Sequence, residues 1–176
     1  MSQLKVDSIV PRGGLPSGAS GGIIQIVQTL KTDAFSTTSA SYVDITGMSL
    51  TITPQSSNSK ILIDVTINNG ANQIGAIRVL RGSTPVGIST AVSGNRVNAT
   101  FGASADNNLT VNTFGVKFFD SPATTSATTY KLQVYISDLI VNTGSFHLNR
   151  PERSDIEDSD RVIGTISSIT AYEVTV

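Results

Sequence analysis

The stretch KILIDVTIN, residues 60–68, decides the fold class. Ile61, Ile63, Val65 and Ile67 share one parity, and Asp64, Thr66 and Asn68 share the other. Only an extended chain sorts such a pattern into one apolar and one polar face, because successive side chains of a strand point to opposite sides. The same alternation recurs as Tyr130, Leu132, Val134 and Ile136 in YKLQVYI, as Val97, Ala99 and Phe101 in RVNATFG, and as Tyr172, Val174 and Val176 at the C-terminus. No segment carries the stripe of an amphipathic helix. The chain is also rich in Ser and Thr, with no Trp and a single His, a composition suited to strands with a hydroxyl-bearing outer face.

Two parity shifts interrupt this pattern. In SYVDITGMSLTITP, Val43 and Ile45 are followed by Met48, Leu50 and Ile52, with Gly47 between them. A bulge or tight turn at Gly47 returns all of them to one face. In NLTVNTFGVKFFD the apolar set passes from Leu109 and Val111 to Phe114, Val116 and Phe118, as one bent strand or two short ones would require. Turn-forming runs such as PQSSNS, NNGANQ, RGSTP, SADNN and DSPATTSATT recur along the chain. Short strands spaced in this way imply an all-β antiparallel sandwich, jelly-roll-like, over residues 23–176. An extended segment and a Gly/Ser/Pro linker, residues 1–22, precede it.

Composition excludes several function classes. Charged residues make up 14% of 176, with a net charge of −1, so there is no basic footprint for nucleic acid. Cysteine is absent, which removes disulfides and thiolate metal sites. No apolar run reaches the roughly 20 residues that a membrane-spanning helix needs, and the start lacks the plan of a signal peptide. The expectation is a soluble chain, made in the cytoplasm, without membrane insertion.

The search for chemistry points away from an enzyme and from any cofactor. GGLPSGASGG lacks the Gly-Lys-Ser/Thr ending of a phosphate loop and leads into a strand where such a loop must open a helix. His147, in FHLNR, is the only imidazole, and beside Phe146 and Leu148 it reads as a structural residue. The densest polar run is NRPERSDIEDSDR, residues 149–161. Asp155, Glu157, Asp158 and Asp160 there are candidates for a surface, receptor or ion-binding loop, since clustered carboxylates suit Ca²⁺ or the acid and base of a glycosidase. The run misses the EF-hand pattern, and an exposed loop with internal Arg–carboxylate pairs is the favoured reading. No metal site is assigned.

A binding or structural module remains, and for it the opening segment matters most. In LKVDSIV, Leu4, Val6, Ile9 and Val10 form a short peg able to add a strand to a neighbouring sheet edge.

SQLKVDSIV, GGIIQIVQT, TTSASYVDITGMSLTITPQSSNSKILI, RVLRGSTPVG, FFDSPATTSATTYKLQVY, LNRPERSD and SSITAYEV, in that order along nearly the whole chain, resemble a family of short tail-fibre-like virion structural proteins of marine bacteriophages, cyanophages included. The resemblance implies a virion protein of the tail, attached to tail or baseplate proteins through its N-terminal segment, with a homotrimeric β-rich body that projects outward toward the host surface. A capsid decoration or head-fibre protein would use the same peg and body elsewhere on the particle. A carbohydrate-binding β-sandwich, with a host-surface glycan as partner, is the alternative from another class.

Overall fold

The computed structural model describes residues 22–71, 74–90, 94, 96–104, 110–136, 144–152 and 163–175. These residues form strands and connections with no helix. The strands are β1 (Ile23–Lys31), β2 (Phe35–Thr37), β3 (Val43–Ile52), β4 (Lys60–Ala71), β5 (Gly75–Arg81), β6 (Thr84–Val86), β7 (Phe101–Ala103), β8 (Asn112–Asp120), β9 (Thr128–Ile136), β10 (Phe146–Leu148) and β11 (Ser167–Val174). Every pairing is antiparallel.

Register shows how these strands form eight lanes. β8 takes one edge of β4 from Ile61 to Asn69, while the other edge carries β11 up to Ser168↔Thr66 and then β10 from Leu148↔Asn69. β10 and β11 therefore lie end to end. β1 and β2 lie end to end beside them, and β6 and β7 do the same along β5. The first sheet reads β1/β2, β11/β10, β4, β8, and the second reads β3, β9, β5, β6/β7. Numbered along the chain, the lanes run 1-8-3-6 and 2-7-4-5, the order of a jelly roll, as the alternation of sequence pattern predicted for the fold class.

The core fills the space between the sheets. Ile61, Ile63, Val65 and Ile67 meet Tyr130, Leu132, Val134 and Ile136 there, together with Met48, Ile52, Ile77, Val79 and Ile169. Gly47 makes the expected bulge. The β3–β9 register jumps between Asp44 and Ser49, Gly47 has φ +84°, and Ile45 and Met48 are both buried as a result. Asn112–Asp120 is one strand with unbroken register against β4; Val111 lies just before it, and Leu109, on the other side of the parity shift, is outside the described residues.

Three expectations are corrected. In RVNATFG, Val97 and Ala99 lie outside any strand and only Phe101 enters β7. The cause is Thr100, whose hydroxyl accepts from Val79 N at 3.0 Å and donates to Val86 O at 3.2 Å, while its own N–H donates to Ile77 O at 2.8 Å. That side chain bridges the gap between β6 and β7, where the sequence pattern predicts a strand through Val97 and Ala99. At the C-terminus the period of two holds but its phase is reversed: Ile169, Ala171 and Glu173 are buried, and Tyr172 and Val174 face outward. Glu173 tolerates burial because its Oε1 accepts from Gln55 N at 2.7 Å and Ser56 N at 3.3 Å, and the Gln25 amide nitrogen lies 3.2 Å from its Oε2. Finally, VIGTI, which the sequence reads as a strand following the acidic run, is not one over its described residues; β11 begins at Ser167.

Asn149 performs in the first sheet the task that Thr100 performs in the second. With φ +64°, it sits where β1 gives way to β2 and β10 to β11. Its Nδ2 donates to Lys31 O at 2.8 Å and Asp33 O at 3.0 Å, and its Oδ1 accepts from Ser167 Oγ at 2.6 Å. Its backbone N–H donates to Asn68 O at 2.7 Å. Asn149→Ala should therefore lower the unfolding free energy by about 2–4 kcal/mol, through stranded carbonyls and a strained left-handed backbone. Urea unfolding followed by circular dichroism checks this.

Candidate functional site

The two residue sets singled out in the sequence, Leu4, Val6, Ile9 and Val10, and Asp155, Glu157, Asp158 and Asp160, lie outside the described residues. The root of the acidic loop is described. Pro151 rests on Gly70, where an added Cβ would come within 2.7 Å of Pro151 Cα, and Gly70 N donates to Arg150 O at 3.2 Å. The chain thus enters residues 153–162 from a point fixed against the end of β4. His147 lies beside this root: its Nε2 is 3.1 Å from Ser145 Oγ, which donates to Glu152 Oε1 at 3.0 Å. An activated serine needs the imidazole to take its proton. Here Ser145 Oγ donates to the Glu152 carboxylate, so the cluster ties β10 to the loop root.

The outer face of the second sheet is a network of satisfied polar groups. Arg78 Cζ lies 3.8 Å from the Tyr42 ring centroid, and Tyr42 and Tyr135 sit 5.6 Å apart, centroid to centroid. Arg78 Nε donates to Gln133 Oε1 at 2.8 Å, Gln133 Nε2 donates to Asp44 Oδ1 at 2.6 Å, and Lys131 Nζ donates to Asp44 Oδ2 at 2.8 Å. The Lys131 bond, then that from Gln133, holds the Asp44 carboxyl below its usual range. Tyr42 OH donates to Asn98 O. Beyond Tyr135 opens a hollow of about 400 Å³ lined by Ile74, Ala76, Arg96, Val97 and Ala99, among others.

The outer face of the first sheet differs. Register sets Ile26 opposite Tyr172, Tyr172 opposite Leu62, and Leu62 opposite Phe119, one apolar row across all four lanes. Ile26 is 59% exposed and Phe119 57%. The next row is polar: Gln28 Nε2 donates to Thr170 Oγ1 at 3.0 Å, and Lys117 Nζ lies 2.8 Å from Asp64 Oδ2. Leu30, 54% exposed, lies beyond it. Sequence reading passed over this face, because Leu62, Phe119 and Tyr172 each come from a different strand and only the register joins them.

The sheets are tied at one end by Arg81, Asp120 and Tyr130. Arg81 Nη1 donates to Asp120 Oδ1 at 2.8 Å and Oδ2 at 2.7 Å, and Tyr130 OH donates to Oδ2 at 2.6 Å. Among the described residues no three His, Asp or Glu side chains gather as a metal-binding group. No protein-family model matches the chain, and no curated protein matches its sequence.

Burial first, then the bond to Asp120, pushes the Tyr130 phenol far above its usual range. Burial raises Tyr42, and the bond to Asp64 raises Lys117. Groups whose folded-state pKa is raised contribute stability that is complete below the unfolded value, about 10 for both residue types, and is lost as the pH climbs through the folded one. Stability should fall from about pH 10 upward. Tyr130→Phe should flatten that fall while lowering stability near pH 8 by about 1–2 kcal/mol, since Asp120 loses a donor. Urea midpoints across this range provide the check.

Proposed function

We propose that the chain is a structural protein of a bacteriophage virion, a tail fibre or fibre-like protein. Its N-terminal segment attaches to a tail or baseplate protein, and its jelly-roll body works as a homotrimer. The observation that carries this reading is that residues 23–174 supply all eight lanes of the body. β1 opens at Ile23, and Thr175 N donates to Gly22 O at 3.0 Å, so the described lanes are complete without residues 1–21. A short segment carrying Leu4, Val6, Ile9 and Val10 is suited to pairing with a neighbour's sheet edge. The resemblance to short tail-fibre-like proteins supports the same assignment.

A carbohydrate-binding role is the second reading. The hollow beside Tyr135 favours it, since an aromatic ring, apolar walls and the Arg96 side chain together suit a sugar with an anionic substituent. The two readings are compatible on one particle, because tail attachment uses residues 1–21 and the hollow lies on the second sheet.

Deleting residues 1–12 tests the attachment role. The truncated protein should keep the circular dichroism and oligomeric state of the full chain yet be missing from purified particles. Normal incorporation of the truncated protein would refute the peg.

A further inference from the structure

We infer that copies of this chain associate through the outer face of the first sheet, with the row Ile26, Tyr172, Leu62 and Phe119 at the centre of the contact. This deepens the reading above, in which the body is an oligomer, by naming the surface and its occupant.

Three observations select a second copy as that occupant. The first is size and polarity. A face four lanes wide and about nine residues long covers on the order of 600 Å², close to the roughly 800 Å² that each partner contributes to a stable interface. The apolar row crosses all four lanes of that face, with Ile26 and Phe119 more than half exposed, and contiguous exposed apolar side chains of this kind mark interaction surfaces. The second is charge. Asp64 and Lys117, at the centre of the face, neutralise one another, and Lys60 stands only at the end of β4 beside Val174. A face with apolar and paired polar rows side by side neither repels its own copy nor calls for a charged partner.

The third is where the undescribed chain is attached. Gly22 lies at the corner of this face, bonded to Thr175 and next to Ile23↔Val174. Where the symmetry axis runs along the strands, copies packed through this sheet bring their Gly22 corners to a common end of the assembly. Several pegs held together bind a tail far more tightly than one, since each bound peg raises the effective concentration of the next. Among the described residues the outer face of the second sheet carries a polar network of Asp44, Gln133, Arg78 and Lys131 in place of an apolar row that crosses every lane.

The experiment uses the full chain carrying either Ile26→Lys with Phe119→Lys, or, on the opposite face, Thr51→Lys with Thr129→Lys. Sedimentation velocity at equal concentration should place the first variant at the single-chain mass of 18.4 kDa, and the second with the wild type at a multiple of it. A first variant that keeps the wild-type mass overturns the inference, and so does a wild type that sediments as a single chain. Where the lysine pair prevents folding, single Phe119→Cys and Thr51→Cys variants of this cysteine-free chain replace it. Maleimide should modify Cys at 119 more slowly than Cys at 51 in the folded protein, and equal rates overturn the inference. Virion incorporation is read separately, so failure here leaves the attachment role standing.

Discussion

Burial of β4 is the constraint on which the rest of the body depends. Its inner side chains, Ile61, Ile63, Val65 and Ile67, are sealed between the sheets, and both of its edges are paired, by β8 on one side and by β11 and β10 on the other. A strand paired on both edges leaves no backbone group unsatisfied along its length, and its apolar face then sets the phase of its neighbours. Phe114, Val116 and Phe118 face inward because Ile67, Val65 and Ile63 stand opposite them. Ile169 and Ala171 face inward for the same reason, opposite Val65 and Ile63.

Around this strand, the body solves one problem twice. A lane in each sheet is broken by a long excursion, between Leu148 and Ser167 in one and between Val86 and Phe101 in the other. Each break is closed by one polar side chain that takes over the missing ladder bonds, Asn149 in the first and Thr100 in the second. Such closure lets loops grow out of a sheet without loosening the strands beside them. Arg96 and the described residues on either side of 153–162 belong to these two breaks, and connections held by a rigid scaffold are where binding chemistry commonly resides.

How much of this was legible in the sequence follows from where the information lies. Period-two alternation and the parity shift at Gly47 are local, and they named the fold class, β4, β9 and the bulge of β3. The phase of β11 was not local. Tyr172 and Val174 are the more apolar set, yet Glu173 occupies the inner face because the turn at Gln55 and Ser56 supplies its amide donors. The strand expected at Val97 failed for a related reason, since a threonine hydroxyl stands in for a backbone bond. The apolar row was least legible of all: Ile26, Leu62, Phe119 and Tyr172 each look like a single exception on a polar face until register aligns them. The residues singled out for function, the peg and the acidic quartet, fall outside the described residues.

The account joins a closed β body, an apolar face suited to its own copies and the proposal that the N-terminal segment attaches to a phage tail. Its most direct test is immunolabelling of intact phage particles from the source of the chain, with antibody raised against the body and viewed by electron microscopy. The account predicts label confined to the tail; particles that carry no label there would contradict it.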